Sequence, residues 1–130
     1  MVGVRVVHDL DDLEADLKEI IRKVPGDLTR TVREGAKVGN VVARDFARES
    51  SGSHGKHYPR AFSSEMVARG VFGMYAAEYG PDASKPQGGM SFEGGSRNQP
   101  PHNDLAKSAD LMGPALAGEV HRLTGGWFWS

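Results

Sequence analysis

The chain has 130 residues, and its 16 basic and 17 acidic side chains give a formal net charge of −1. This balance excludes the basic surplus or stripe that is typical of proteins that bind nucleic acid or anionic membranes. The absence of cysteine excludes disulfide bonds and cysteine-based metal or redox sites. The length predicts a single domain, residues 1–130, and the sequence predicts neither a signal peptide nor a membrane span.

The first quarter of the chain predicts a short strand followed by a helix. Val2–Val7 alternates valine with glycine and arginine, a pattern of β-branched residues that favours a strand. A helix capped by an early aspartate follows, and Pro25-Gly26 is expected to end it. Its apolar residues recur at steps of three and four and form one stripe: Leu10, Leu13, Leu17, Ile20 or Ile21, and Val24.

A second, longer helix is predicted from a cap at Asp27 to about Arg48. One of its faces carries small residues, among them Gly35 and Gly39. Each glycine costs a helix about 1 kcal/mol relative to alanine. We therefore expect another helix or a sheet to pack closely against this face.

The middle of the chain predicts a loop from Glu49 and then a β-hairpin. The strands are predicted as Phe62–Ala68 and Val71–Tyr79, joined near Arg69-Gly70. Because both faces of the second strand are largely apolar, we expect that strand to be central or covered on both sides.

Residues 80–102 have neither a helical nor a strand period and are rich in glycine and proline. A structureless segment longer than about 12–15 residues in a compact domain is usually functional or disordered. Met90, Phe92 and Arg97 give the segment contact chemistry that a spacer would not need. We expect an extended interaction loop that contacts a neighbouring subunit or ring.

A last helix is predicted after a cap at Asn103 or Asp104, and Gly113-Pro114 is expected to kink or split it. Its apolar stripe is Leu105, Ala109, Met112, Leu116, Val120 and Leu123. The aromatic tail, residues 124–130, is expected to dock on its own chain or on a partner, because three aromatic side chains do not stay in water. Those side chains are Trp127, Phe128 and Trp129.

The histidines could suggest a metal site or a small nuclease, but the sequence supports neither function well. His54 and His57 are three residues apart in a glycine-rich loop, where this spacing does not hold two ligands on one side. A zinc site would also need a distant ligand such as His102 or Asp104, so we expect no metal and no cofactor. A small nuclease or hydrolase would rest on His57, Glu78 and His102, but no basic substrate-binding face accompanies them.

Glu78 lies on the predicted second strand among apolar neighbours. Such a carboxylate is either a perturbed acid or one half of an ion pair. We expect an ion pair with Arg60, with Arg97, or with an arginine of a neighbouring subunit.

Several short motifs together resemble a known family. The sequence YAAEYG, residues 75–80, follows the predicted hairpin, and a polar loop then ends at Pro101-His102 before an alanine-rich helix. This order resembles that of the small neck and tail-completion proteins of long-tailed bacteriophages, the lambda tail-protein-Z-like family of head–tail joining proteins. The likeness covers residues 27–123, and the segment 80–110 is most similar to versions from phages of actinobacteria. The chain departs from the family pattern in having one residue fewer within the first motif and His102 in place of an aromatic residue.

The predicted elements combine into an α+β fold in which a small, mainly antiparallel sheet packs against a long helix and a C-terminal helix, with a long loop arm. The family resemblance has further implications. It implies a non-enzymatic virion protein, made in the host bacterial cytoplasm, that forms a homo-oligomeric ring, expected to be a hexamer, at the top of the tail. The ring would join a connector or stopper protein to the tail terminator or the major tail protein. DNA could pass through its lumen, but no sequence-specific nucleic-acid binding and no membrane contact are expected.

Three alternatives stay open: a tail terminator ring that caps the tail tube, a small nuclease, and a cytosolic binding module. If the chain is a neck protein, we expect the following residues to make its contacts: Tyr75, Glu78, Tyr79, Met90, Phe92, Arg97, Pro101, His102, Trp127, Phe128 and Trp129.

Overall fold

The computed structural model of the chain describes residues 2–96 and 100–129, with side chains for 12–96 and 100–128. The elements in chain order are α1 Val2–Ser51, a 3-10 turn Pro59–Ala61, β1 Phe62–Val71, β2 Met74–Pro81, α2 Ser91–Gly94 and α3 Asp104–Trp129. The two strands form one antiparallel sheet, and helices α1 and α3 pack beside it. The predicted α+β class is therefore confirmed.

The N-terminal half of the chain is one helix, so the predicted strand Val2–Val7 and the predicted break at Pro25-Gly26 are both wrong. A strand needs a neighbour, and the hairpin packs against the second half of α1, far along the chain from Val2–Val7. The apolar residues Val24, Leu28 and Val32 keep helical phase across the proline. One amphipathic surface therefore continues where local propensity predicted two helices.

Both interior prolines lie at solvent-facing positions of helices that continue through them. A helical proline removes the hydrogen bond to the carbonyl four residues earlier, which is that of Ile21 for Pro25 and of Asp110 for Pro114. Both of these residues are exposed, so the freed carbonyls can bind water. Helix α3 accordingly runs through Pro114 without being split and continues to Trp129, so residues 124–129 are helical and do not form a loose tail.

The hairpin turn lies at Phe72-Gly73, three residues beyond the predicted Arg69-Gly70. Val71 pairs with Met74, and the pairing shifts at two points along β1. Val67 and Gly70 are the extra residues at these shifts, and Gly70 has a φ of 96°, which suits a β-bulge. The bulges lengthen β1 and carry the turn further along the chain.

The second strand is not central, because the sheet in the described part of the chain has only β1 and β2. Tyr75, Ala77 and Tyr79 are half-buried, whereas Met74 and Glu78 are exposed. The sheet packs against α1, and the face of β2 that carries Met74 and Glu78 is not fully covered.

The core lies where the small face of α1 meets the hairpin. Ala43 and Ala47 are fully buried together with Tyr58 and Phe62. Gly39 is also buried, and a Cβ atom on it would come within 2.5 Å of Cε1 of Tyr79. The expected close packing against the glycine-bearing face is confirmed at this contact.

Helix α3 runs antiparallel to α1. Asp104 contacts Ser50 near one end, Leu116 lies over Gly35, and Trp127 reaches Asp27 at the other end. α3 therefore ends close to Asp27, and the preceding part of α1 extends beyond it.

The segment after β2 was predicted to be an extended loop, but its described part folds back on its own chain. Gln87 accepts a hydrogen bond from the backbone amide of His57 and donates one to the carbonyl of His54. The short helix α2 follows, and the ring of Phe92 stacks on Tyr58 at a centroid distance of 4.5 Å. Phe92 is therefore half-buried and packs against the core of its own chain.

Candidate interaction surface

The end of the hairpin carries an exposed apolar surface, which we call the hairpin tip and define as Val67, Val71, Phe72 and Met74. Their exposed fractions are 59%, 58%, 103% and 56%, respectively. Val67 lies on a β-bulge, and the other three residues surround the turn. Exposed apolar side chains that cluster in this way mark interaction sites more often than isolated ones do.

Phe72 is the unusual residue of the hairpin tip. Its φ is 53° and that of Gly73 is 74°, values that fit a two-residue type I′ turn. Such turns favour asparagine or aspartate at the first position, and a bulky aromatic residue there is strained. The Phe72 backbone is strained, and its fully exposed side chain contributes nothing to packing in the monomer. This combination points to a contact with another molecule.

The free strand edges of the sheet are a second surface that could contact another chain. Within the described residues, β1 and β2 pair only with each other, so each has one edge without a strand partner. Free strand edges can pair with a strand of another chain. The hairpin tip and the two edges belong to the same small element.

A cleft of about 400 Å³ lies at the base of the hairpin and contains three carboxylates, Glu65, Glu78 and Asp82. Glu78 faces Glu65 across the strands, so like charges oppose each other. The pKa of Asp82 is lowered, first by the Ser84 hydroxyl hydrogen bond and then by the Ser84 amide. The cleft therefore favours a cationic neighbour.

The expected ion pair of Glu78 with Arg60 is absent from the described residues, since no arginine there lies within 4.0 Å of its carboxylate. Arg97 lies outside the described residues. A pair with an arginine of a neighbouring subunit stays a prediction.

A polar cluster joins the end of α1 to the start of α3. The Ser50 hydroxyl donates to the carboxylate of Asp104, which is fully buried, and lies 2.8 Å from Nδ1 of His102. Because the hydroxyl has a single proton and the carboxylate can only accept, we assign the proton on Nδ1 as the donor to Ser50. His102 also contacts the Phe92 ring edge-on at 5.3 Å.

These three residue types also occur in hydrolytic triads, but their arrangement here differs. In a triad the carboxylate holds one imidazole nitrogen and the hydroxyl meets the other. Here Ser50 and Asp104 both face Nδ1 of His102, at 2.8 Å and 3.7 Å. The geometry suits a structural clamp between α1 and α3.

Glu93 completes the start of α3. Its carboxylate accepts hydrogen bonds from the amides of Leu105, at 2.7 Å, and Ala106, at 3.2 Å. Tyr58 is buried beside this region, and burial, followed by the charges of Asp104 and Glu93, raises the pKa of its hydroxyl.

The remaining residues expected to make contacts are dispersed. The ring of Tyr79 packs on Gly39, and its hydroxyl lies 2.8 Å from Oγ of Ser108. Tyr75 is half-buried on β2, whereas Met90, Pro101 and Phe128 are exposed. The side chain of Trp129 lies outside the described residues.

Trp127 docks on its own chain by donating a hydrogen bond from Nε1 to Oδ2 of Asp27, at 2.8 Å. Sequence reasoning expected a contact of this kind without naming its partner. It placed Phe72 within the second strand and did not single it out, because neither asparagine nor aspartate precedes Gly73 to mark the turn.

The residues of the alternative nuclease do not share one cleft in the described part of the chain. Glu78 lines the carboxylate cleft, whereas His57 and His102 do not line it. Among the described residues, no group of three or more acidic, histidine or cysteine side chains could hold a metal ion. No helix among them is long and apolar enough to cross a membrane.

A comparison with protein-family models found no match, and comparisons with curated proteins and with solved structures found none either.

Proposed function

We propose that the chain is a structural protein of the neck of a long-tailed bacteriophage, a tail-completion or head–tail connector ring between the capsid-side connector and the tail tube. The observation that carries the proposal is the hairpin tip, in which a strained Phe72 is fully exposed among three other exposed apolar residues. A surface of this kind is stabilised when another protein covers it. The resemblance of its motifs to phage neck proteins suggests which kind of assembly the chain joins.

A ring needs two different surfaces on each subunit, because its contacts are head to tail and close by rotation. The hairpin tip supplies a projecting apolar surface, and the carboxylate cleft at the base of the same hairpin supplies a recessed acidic one. A formal net charge of −1 with mixed signs suits contacts of alternating charge. We expect a hexameric ring that binds copies of itself, a connector or stopper protein, and the tail terminator or major tail protein.

A substitution at the turn tests the proposal. Phe72→Asn places a residue that tolerates left-handed backbone at the strained position and removes the aromatic side chain. We expect the free energy of unfolding to stay the same or to rise by up to about 1 kcal/mol. Assembly of tailed particles should fall at least tenfold in a complementation assay.

The matched control is Val41→Thr, which changes an exposed apolar residue, 52% exposed, on the side of α1 away from the core. It should leave assembly unchanged. Normal assembly of particles with Phe72→Asn would show that the hairpin tip makes no contact that assembly needs. Pull-down of the wild-type chain by the connector or by the tail tube protein then separates the completion ring from the tail terminator alternative.

A further inference from the structure

The first part of α1 carries an apolar stripe that is exposed at Leu13 and Leu17 and half-buried at Ile20 and Val24. α3 reaches Asp27 through Trp127 and ends at Trp129. Beyond that point Leu13 and Leu17 are 51% and 41% exposed, and Ile21 is 70% exposed. An amphipathic helix of this length in water requires a partner for its apolar face.

The spacing of the stripe indicates which partner fits. Leu13, Leu17, Ile20 and Val24 follow one another at steps of four, three and four. This is the repeat of a two-stranded coiled-coil seam, in which the side chains of one helix insert between those of a similar helix. A second copy of this chain offers a seam of the same length and chemistry.

The charges beside the stripe indicate the orientation. Glu14 pairs with Lys18, and Glu19 pairs with Arg22, within the helix itself. Asp16 and Lys23, which flank the seam, form no ion pair within 4.0 Å in the described part of the chain, and Lys23 acts on Asp27 only at longer range. These two opposite charges remain available to another chain.

We propose that two copies of this chain pair through residues 13–24 as an antiparallel coiled coil. Alignment of Leu17 with the partner's Ile20 places Leu13 opposite the partner's Val24. Asp16 then lies beside the partner's Lys23, and the twofold axis produces this attraction twice. A parallel pair would place Asp16 beside the partner's Ile21 and Lys23 beside the partner's Leu28, which leaves both charges unpaired.

The pairing goes beyond the proposed ring. A twofold contact joins the same surface of two copies and cannot be repeated around a closed ring. The pair therefore belongs to the free chain before it joins the particle. Its seam is short, so the dimer is in exchange with the monomer.

Sedimentation equilibrium over a concentration series measures the pairing on the free full-length chain. We expect the mass to rise from one chain of 14.0 kDa towards two, and Leu17→Asp to hold it at one chain throughout. Val41→Asp, a matched change at an exposed apolar residue outside the seam, should leave the dimer intact. A wild-type chain that stays monomeric, or a dimer that survives Leu17→Asp, would overturn the proposal.

Charge reversal tests the orientation. Asp16→Lys or Lys23→Asp alone should weaken the dimer by roughly tenfold, because each converts two attractive pairs into two repulsive ones. The double variant should restore it.

The chain has no cysteine, so introduced thiols report directly on neighbours. A mixture of Leu13→Cys and Val24→Cys chains should form mixed disulfides, with little Leu13→Cys self-coupling. Efficient self-coupling would indicate a parallel pair and overturn the proposal. These assays use the free chain, whereas the hairpin tip is tested in particles, so each idea can fail without the other.

Discussion

Gly39 shows how the absence of one side chain positions the hairpin on α1. The Tyr79 ring lies where a Cβ atom would be, with Cε1 and Cζ within 2.5 and 2.8 Å of that position. The Tyr79 hydroxyl is 2.8 Å from Oγ of Ser108 on α3, so the ring cannot swing away without breaking that hydrogen bond. One glycine thus lets the sheet contact both helices.

Gly39→Ala should lower the free energy of unfolding by about 1–2 kcal/mol, because overpacking against the Tyr79 ring outweighs the better helix propensity of alanine. Gly26→Ala is the matched control in the same helix, since a Cβ there meets nothing within 4 Å. It should raise stability by about 0.5–1 kcal/mol. Denaturant unfolding measures both, and a stabilising Gly39→Ala would show that Tyr79 does not pack as described.

The bond between Asp27 and Trp127 predicts a pH dependence. The indole hydrogen bond is the largest single cause that lowers the pKa of Asp27, burial opposes it, and the hydrogen bond and the charge of Arg30 lower it further. Because the folded pKa lies below the unfolded value, the contribution is fully present above the unfolded value of about 3.9 and is lost as pH falls through the folded value.

Trp127→Phe should raise the Asp27 pKa towards its ordinary value, as measured by NMR titration, and should reduce the stability lost on acidification. Arg30→Gln should also raise the pKa of Asp27, because the hydrogen bond and the charge of Arg30 both lower it. An Asp27 pKa that does not move in Trp127→Phe would exclude the indole as its cause.

At the scale of elements, α3 depends on a cap supplied from a distance. The first amides of a helix have no partner within the helix, and Glu93 supplies two acceptors from α2. The same contact holds the segment after β2 against the core, since Phe92 precedes Glu93 and stacks on Tyr58. A deletion across residues 83–97 would therefore destabilise the fold as well as any contact with a neighbour.

Glu93→Gln should lower the free energy of unfolding by about 1–2 kcal/mol, because the amide keeps one acceptor but loses the charge that the helix N-terminus favours. Hydrogen exchange at the amides of Leu105 and Ala106 should become faster. Glu34→Gln, in an exposed pair with Lys37, should change stability by at most about 0.5 kcal/mol. Equal effects of the two substitutions would argue against the cap.

Local patterns predicted the type of most elements but not their limits. The helical stripes and the strand alternation are properties of side-chain spacing, and they predicted correctly that helical regions flank a β-hairpin. The breaks at Pro25 and Pro114 were predicted from propensity, but both prolines lie at solvent-facing positions, where the helix continues despite the loss of one backbone hydrogen bond. Turn placement failed because β-bulges leave no clear period in a sequence.

The candidate sites were harder to predict than the fold. The Glu93 cap joins residues with no local sequence signal, and the Ser50–Asp104 contact joins residues 54 positions apart. Phe72 is informative only once its backbone conformation is known, because an exposed phenylalanine cannot be recognised from its residue type.

At the scale of the whole molecule, the described residues include two apolar surfaces that are exposed wholly or in part and that we assign to partners. The hairpin tip lies at the end of the sheet, and the stripe of residues 13–24 lies on α1 beyond α3. We assign the first to the assembled ring and the second to the free chain, so the protein would exchange one partner surface for another during assembly.

The most direct test of the central claim is quantitative mass spectrometry of purified tailed particles, with a photo-crosslinking amino acid at position 72 of the chain. The account predicts that the chain is present in the same number of copies, at ring stoichiometry, in every intact particle, and that position 72 crosslinks to a neighbouring virion subunit. Absence of the chain from intact particles would contradict the account, and so would a crosslink confined to its own body.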